Sequence, residues 1–391
     1  MPVLPDAHRA TDLLERYAPG GATLLAFPTR TILAGGARTT VTTASAGAPE
    51  AIAGAVRRTL DDREKPLVVG AVPFDPAAAA HLVVADEVAV AGPLHLWPDE
   101  VGDPAASPAP RMVARPSRER YARTVAQALP ALRAGTLRKV VLARALDIHD
   151  DDGFDVPALV RALAARDPLA HVFAVDLPPQ DDGPRTLIGA SPELLVRRQA
   201  TEVRTTPLAG SVPRDPDAVG DARRAAALIE SSKDREEHAV VVEAVAAALR
   251  PFCDALEVPS GPELVRTATM WHLATRVRGR LADPDITSLE LALALHPTPA
   301  VCGLPVARAR DTIAALEPLD RGFYAGAAGW QDAHGDGEWA VTIRCGEVEG
   351  TRMRIWAGAG IVAASDPDVE LRETAAKYRT LLSALGVQEV S

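Results

Sequence analysis

The sequence has little of the chemistry that disulfide-rich, zinc-binding or nucleic-acid-binding proteins use. Its 391 residues include only three cysteines, Cys253, Cys302 and Cys345, which lie far apart and form no CxxC pair. This pattern argues against a disulfide framework or a zinc cluster, and we expect a reducing, cytoplasmic setting. Aromatic residues make up only 4% and the formal net charge is −10, so we expect no binding to nucleic acid.

Long apolar runs are also missing. No stretch reaches the length of a membrane span, and residues 1–17 lack the basic and apolar regions of a secretory signal. Hydrophobic residues make up 47% and charged residues 24%, which are ordinary values for a globular protein. We therefore expect no membrane partner. We also expect a monomer.

The first part of the chain, residues 1–110, is loosely patterned and rich in alanine, glycine and proline. The stretch GDPAASPAP at 102–110 is the best linker candidate, because proline and glycine resist regular structure. After about residue 115, helix and strand signals alternate clearly.

Strand signals dominate this second part. Runs rich in β-branched and apolar residues predict strands at 139–144, 171–177, 186–190, 323–331, 338–345 and 353–358. Helical patterns predict helices at 117–133, 221–249 and 366–385, with Asp366 as the N-cap of the last. The predicted fold class is α+β: a large, mostly antiparallel sheet system, like a β-sandwich, with helices packed outside.

Two acidic pairs lie at helical spacing. Asp234 and Glu237 are three residues apart, as are Glu370 and Glu373, so each pair lies on one helix face. Four carboxylates that converge from two helices would form an oxygen-rich site suited to Mg²⁺. The alternative is a solvated helix face with ion pairs four residues apart, such as Glu373 with Lys377.

Two other ionisable residues lie beside apolar runs. Lys139 begins KVVLAR, where it either caps the strand and reaches water or is a partly desolvated amine. Glu193 follows Pro192 in GASPELL, where it is either an ordinary turn residue or a carboxyl in an apolar setting. An apolar setting would raise the pKa of Glu193 above its ordinary value of ~4.3.

The glycine-rich stretch GAGIVA at 358–363 matches the dinucleotide-binding pattern of nicotinamide-dependent oxidoreductases. That motif requires a helix to begin at once, within a β-α-β unit. Here SDP at 365–367 intervenes and the preceding strands are predicted to be antiparallel. We therefore interpret these glycines as allowing the backbone to approach a ligand closely.

Nine motifs occur in a characteristic order: KVVLAR, GASPELL, TTPLAGS, KDREEH, WHLATRV, HPTPAVCG, DRGFYAGAAGW, WAVTIR and AGAGIV…SDP…E…ET…K. Together, over roughly residues 115–386, they resemble the chorismate-binding enzymes. This family includes isochorismate, salicylate, anthranilate and aminodeoxychorismate synthases. The resemblance implies one chorismate-binding fold, in which residues 1–110 form the N-terminal part and residues 115–388 the catalytic region.

The resemblance also implies a role for particular residues. Lys139 corresponds to the base that activates water, and Glu193 to the acid that protonates the leaving hydroxyl. The implied Mg²⁺ ligands are Glu237 and Glu373, with Asp234 and Glu370 as outer carboxylates. The implied substrate contacts are Gly210, Ser211, Ala300, Tyr324, Arg344, Gly358 and Lys377, of which Arg344 and Lys377 hold carboxylates.

The motifs also favour one activity within the family. Members that add ammonia generally lack a lysine at the position of Lys139 and depend on a glutaminase, so Lys139 favours water. WHLAT and HPTPAVCG are more similar to isochorismate synthases of siderophore and menaquinone pathways. Tyr324 is more typical of salicylate-forming members, so a salicylate synthase is the alternative, ahead of a non-catalytic metabolite-binding relative. We expect a reversible, Mg²⁺-dependent conversion of chorismate to isochorismate.

Overall fold

The computed structural model describes residues 9–41, 49–60, 67–96, 110–180 and 183–387. Apart from Pro110, the predicted linker at 102–110 lies outside these residues. The described helices are α1 (Ala10–Arg16), α2 (Pro49–Leu60), α3 (Arg118–Arg133), α4 (Val156–Arg166), α5 (Ala218–Glu230), α6 (Ser232–Leu249), α7 (Ser288–Leu295), α8 (Val306–Leu316) and α9 (Pro367–Ala384). None of these described helices is long and apolar enough to cross a membrane.

The strands extend along most of the described chain. They are β1 (Thr23–Phe27), β2 (Arg30–Thr40), β3 (Leu67–Val72), β4 (His81–Ala91), β5 (Arg111–Arg115), β6 (Lys139–His149), β7 (His171–Leu177), β8 (Arg185–Ser191), β9 (Leu194–Gln199), β10 (Glu202–Thr206), β11 (Leu208–Pro213), β12 (Cys253–Glu257), β13 (Glu263–Arg266), β14 (Met270–Ala274), β15 (Val277–Leu281), β16 (Gly303–Leu304), β17 (Ala327–Asp332), β18 (Gly337–Val341), β19 (Cys345–Glu349) and β20 (Arg352–Ile361).

Most of these strands join one large sheet system of 17 strands, and every pairing in it is antiparallel. One run of neighbours is β12-β15-β10-β9-β18-β17-β3, and it continues through β4-β2-β1-β7-β8-β19-β20-β6-β5. A separate sheet contains β11, β14 and β13. The predicted α+β class with a mostly antiparallel sheet is confirmed.

The early strands β1 to β4 lie in the middle of this order, where β1 pairs with β7 and β3 pairs with β17. The side chains of successive β1 residues pack into two different hydrophobic clusters: Leu25 and Phe27 belong to one, and Leu24 and Ala26 to the other. Because side chains of a strand alternate between faces, this sheet is buried on both sides, as its almost uniformly apolar strands require. The sequence analysis divides the chain near residue 110 into an N-terminal part and a catalytic region, and this division stays a prediction.

The single helix predicted at 221–249 is wrong: the structure has two helices, α5 and α6. They meet at Ser231, whose backbone is extended (φ −63°, ψ 114°) and whose side chain accepts a hydrogen bond from the Asp234 N–H. A serine hydroxyl that binds the backbone competes with helix continuation and caps a new helix instead. The break places Asp234 and Glu237 in the first two turns of α6.

The predicted strand at 338–345 is also interrupted, because β18 ends at Val341 and β19 begins at Cys345. Between them Arg344 has a φ of +52°, in the left-handed region that few residues other than glycine adopt. The predicted strand at 323–331 begins only at Ala327, after Ala325 with a φ of +60°. Such backbone conformations cost free energy and often occur at functional sites.

Candidate active site

One cavity brings together side chains from β6, β14, β20, α6, α9 and the loops beside them. Every residue that the sequence analysis assigns to the site lines this cavity. The base and acid candidates, the four carboxylates and the proposed substrate contacts therefore share one space, although they come from distant parts of the chain. Residues that the sequence analysis did not assign also line it, among them Lys233, His272 and Gly360.

Lys139 lies at the start of β6 and is only 3% exposed, so the alternative that it reaches water at the strand end is wrong. Its Nζ is 2.9 Å from Glu237 Oε1 on α6. Gly360 on β20 leaves room for this contact. A Cβ at Gly360 would lie 2.7 Å from Glu237 Oε1 and 2.8 Å from Lys139 Cε.

Glu193 follows β8 and is also buried, with 3% of its surface exposed. Burial raises the pKa of its carboxyl to about 7, although a backbone hydrogen bond from Leu208 and the charges of Lys139 and Arg344 act in the opposite direction. Burial outweighs them because it penalises the charged form. A carboxyl with this pKa carries a proton for much of the time in neutral solution and can serve as a general acid.

Two cations approach the cavity from other elements. Arg344 lies in the turn between β18 and β19, and its guanidinium is buried. Lys377 on α9 donates from Nζ to the Gly358 carbonyl at 2.7 Å and to Glu373 Oε1 at 2.6 Å. Because arginine and lysine form charge-assisted hydrogen bonds with carboxylates, these cations suit an acidic substrate.

The four acidic residues come from α6 and α9, as the sequence analysis expects. Burial and the neighbouring charge of Glu373 raise the pKa of Glu370 to about 7. Burial favours the neutral form of Glu237, but its hydrogen bond and charge attraction to Lys139, together with the charges of Lys233 and Lys377, lower its pKa overall. Crowded carboxylates of this kind fit a divalent cation, which would neutralise them and which prefers oxygen ligands.

The four carboxylates do not converge on a single point. Among the described residues, no three acidic, histidine or cysteine side chains lie close enough together to hold one. Glu237 and Glu373 each contact a lysine instead, Lys139 and Lys377 respectively. An incoming ion would therefore have to exchange these lysine contacts.

His272 also lines the cavity. Its Nδ1 is 2.6 Å from Ser211 Oγ, and its buried Nε2 has no hydrogen-bond partner among the described residues. Burial, together with the charges of Arg344 and Lys377, lowers the pKa of His272 well below its usual value, so the ring is neutral. No local pattern reveals this role, because β11 and β14 bring Ser211 and His272 together across the sheet.

His238 and His296 have structural roles. His238 contacts the Ala209 carbonyl at 3.2 Å and Thr275 Oγ1 at 2.7 Å, and His296 contacts the Phe74 carbonyl at 3.1 Å. Burial lowers the pKa of both to about 4. Lys233 is a cavity-lining cation that the sequence analysis missed, and its sequence signal is its position beside Asp234.

Comparison with known proteins agrees with this geometry. The sequence profile of a family described as chorismate binding enzyme matches residues 99–386. The chain belongs to the chorismate-binding enzyme family. It is 48% identical over 390 residues to isochorismate synthase DhbC of Bacillus subtilis (strain 168), with 98% of each chain covered.

Solved structures of chorismate-binding enzymes have the same fold. The crystal structure of DhbC from Bacillus anthracis matches with a TM-score of 0.92 and 46% identity, over 97% of this chain and 100% of that one. Anthranilate synthase component I from Streptococcus pneumoniae TIGR4 is similar in fold alone, with a TM-score of 0.70 at 22% identity, over 93% and 90% of the two chains. The resemblance to this family that the motifs indicate is confirmed.

The glycine pattern of GAGIVA has a different context from that of a dinucleotide site. Residues 358–361 belong to β20, which pairs antiparallel with β6, and α9 begins only at Pro367. The β-α-β unit that places a helix N-terminus against a pyrophosphate is therefore missing from this part of the described chain. Gly358 and Gly360 instead form part of the cavity wall.

Proposed function

We propose that this protein is an isochorismate synthase that interconverts chorismate and isochorismate. The observation that carries the proposal is the buried pair of ionisable groups in one cavity: the amine of Lys139 and the carboxyl of Glu193, whose pKa is raised to about 7. A lysine base favours water as the nucleophile, and the two DhbC relatives described above carry this activity in their names. The expected monomeric state and compartment stay predictions from the sequence.

In the proposed reaction, Lys139 and Glu193 transfer protons at the two ends of the rearranging ring. Lys139 takes a proton from water as the water oxygen bonds to C2, and the ring double bonds shift. Glu193 gives its proton to the C4 oxygen, which leaves as water. One water is consumed and one is released, and proton exchange with solvent then restores both side chains.

The other cavity residues bind and orient the substrate. Chorismate carries two carboxylates, and Arg344 and Lys377 supply charge-assisted hydrogen bonds to them. The four acidic side chains would repel such a dianion. A divalent cation, which we propose to be Mg²⁺, would supply the positive charge that joins a substrate carboxylate to Glu237 and Glu373, with Asp234 and Glu370 as outer carboxylates.

A second candidate, salicylate synthase, is favoured by Tyr324. Burial raises the pKa of its phenol, so the hydroxyl keeps its proton and can donate a hydrogen bond. The Tyr324 ring stacks on Trp356, with centroids 5.9 Å apart, and its hydroxyl oxygen lies 2.9 Å from where a Cβ on Gly358 would be. A hydrogen bond to the enolpyruvyl group could promote the loss of pyruvate that salicylate formation requires.

Product analysis distinguishes the two candidates. We expect isochorismate as the main product, with at most a trace of salicylate, because the motifs around the site are those of isochorismate synthases. The measurement is a chromatographic time course started from chorismate and, separately, from isochorismate. Both should reach the same mixture, because the reaction is reversible. Stoichiometric accumulation of salicylate and pyruvate would identify a salicylate synthase instead.

Metal removal is expected to abolish activity. EDTA should stop turnover and Mg²⁺ should restore it. Glu237→Gln and Glu373→Gln should weaken the binding of Mg²⁺ and of chorismate together, because the substrate carboxylate completes the coordination of the ion. Calorimetry of each ligand in the presence and absence of the other measures this coupling without turnover.

Glu236→Gln provides the control for these metal-site variants. Glu236 lies beside Glu237 on α6 but is exposed and does not line the cavity, so its variant should bind both ligands normally. Full activity in metal-free buffer would contradict the metal requirement. Normal binding of both ligands by the two glutamine variants would place the metal site elsewhere.

A further inference from the structure

Within the described part of the chain, one edge of β6 has no continuous strand neighbour close to Lys139. β20 pairs with residues 140–149 of β6. The remaining pairings of β6 are short, since β16 reaches only residues 139–140 and β5 only residues 145–149. The backbone groups between them need other partners, because a buried N–H or C=O without a hydrogen bond costs free energy.

The Val141 N–H donates to the Cys302 carbonyl, and the Tyr121 hydroxyl donates to the Leu142 carbonyl. Glu317 and Arg321 supply two further partners. The Ala143 N–H donates to Glu317 Oε1 at 2.7 Å, and Arg321 Nη2 donates to the Val141 carbonyl at 2.8 Å. The two side chains also bind each other, through Arg321 Nε to Oε2 at 2.9 Å and Nη2 to Oε1 at 2.5 Å. Both are buried, with exposures of 3% for Arg321 and 4% for Glu317. The ion pair therefore takes the place of a neighbouring strand.

The Arg321 guanidinium also contacts two other residues that line the cavity. Arg321 Nη1 donates to the Val301 carbonyl at 2.9 Å. Its Cζ lies 5.9 Å from the centroid of the Tyr324 ring, within the range of a cation–π contact. Val141, Val301 and Tyr324 all line the cavity, whereas neither Glu317 nor Arg321 does.

We propose that Glu317 and Arg321 are positioning residues for the reaction, an inference that rests on the proposed function. They hold the β6 segment beside Lys139, the loop that contains Val301, and Tyr324 in one fixed arrangement. The planar guanidinium of arginine holds its N–H donors in fixed directions toward two carbonyls and a carboxylate, a geometry that the flexible ammonium of lysine does not reproduce. A buried ion pair contributes little net stability compared with apolar residues of similar volume, whereas displacing a catalytic group by about 1 Å can cost roughly 10²-fold in rate.

The test compares Arg321→Lys with a matched change at Arg198. Arg198 is likewise buried and binds the Pro284 and His334 carbonyls at 2.6 Å and Asp336 Oδ1 at 2.9 Å, but it does not line the cavity. Both lysine variants should lose thermal stability. Only Arg321→Lys should lower kcat, by about 10–100-fold, with KM changed less than about threefold because Arg344 and Lys377 are untouched.

Glu317→Gln supports the comparison, since it keeps the shape of the side chain and an oxygen for the Ala143 N–H. It should lower kcat by about tenfold, with KM again nearly constant. Rates are measured as chorismate consumption, at a temperature where circular dichroism shows every variant folded. Product identity is determined separately. Salicylate as the main product would overturn the proposed function, whereas the measured rates would still test the positioning role.

Crystal structures of the two lysine variants give a readout that does not depend on activity. In Arg321→Lys we expect Lys139 Nζ to move from its position 2.9 Å from Glu237 Oε1, whereas in Arg198→Lys it should stay there. A folded Arg321→Lys variant with kcat within about threefold of the unmodified protein would overturn the proposal. An equal loss of kcat in Arg198→Lys, or an unmoved Lys139 in Arg321→Lys, would overturn it as well.

Discussion

Replacing Lys139 with alanine is expected to lower chorismate turnover by about 10²–10⁴-fold, the usual contribution of a general base. Water adds poorly to C2 unless its proton is removed as the bond forms. Lys139 is the buried amine in this cavity, and its contact with Glu237 holds Nζ over β20. The measurement is kcat under saturating Mg²⁺ and chorismate, together with calorimetric binding of both ligands, which should persist.

Two further variants separate catalysis from folding. Lys139→Met keeps most of the buried volume and should be as inactive as the alanine variant. Arg138→Ala removes an exposed cation from the neighbouring position, which does not line the cavity, and should keep normal turnover. A loss of less than about tenfold in both Lys139 variants would mean that another group activates water.

Glu193→Gln should cause a loss of similar size, about 10²–10⁴-fold, because the amide keeps the shape of the side chain but cannot deliver a proton to the leaving oxygen. This variant should also change the pH dependence. Since the carboxyl of Glu193 has its pKa raised to about 7, its protonated fraction falls as the pH increases through that value. The unmodified enzyme should therefore lose kcat on the alkaline side, and the residual activity of Glu193→Gln should lack this alkaline decrease.

The comparison variant for Glu193→Gln is Glu202→Gln, which alters an exposed glutamate on β10 that pairs with Arg204. Its kcat and its pH profile should match those of the unmodified protein. If Glu193→Gln kept the same alkaline decrease, some other group would be responsible for it. A small loss of turnover in Glu193→Gln would remove Glu193 from the role of general acid.

Local signals in the sequence were sufficient for several elements near the site. The prediction of a strand at 171–177 agrees with β7, and Asp366 is the N-cap of α9, where it accepts hydrogen bonds from two backbone N–H groups. These features depend on neighbouring residues, because strand patterns and helix caps involve only a few positions along the chain. The spacing of Glu370, Glu373 and Lys377 on α9 was predictable for the same reason.

Other elements were predicted incorrectly because the same local signals were ambiguous. Residues 221–249 have a continuous helical pattern, and only the capping contact of Ser231 with Asp234 divides α5 from α6. Apolar character alone likewise suggests one strand over 338–345. The left-handed backbone of Arg344 breaks it and places a buried cation at the cavity.

The sequence by itself determined the family, the α+β class and the residues that would meet in the site, because its motifs keep their identity and order along the chain. Only the tertiary structure decided the surroundings of those residues. The burial of Lys139, its contact with Glu237 and the space left by Gly360 come from three separate elements. The Ala143–Glu317 hydrogen bond likewise joins residues 174 positions apart. Desolvation and charge pairing depend on distances in space. A sequence pattern can therefore indicate which residue is the general acid, whereas the fold sets the pKa that this residue needs to donate a proton.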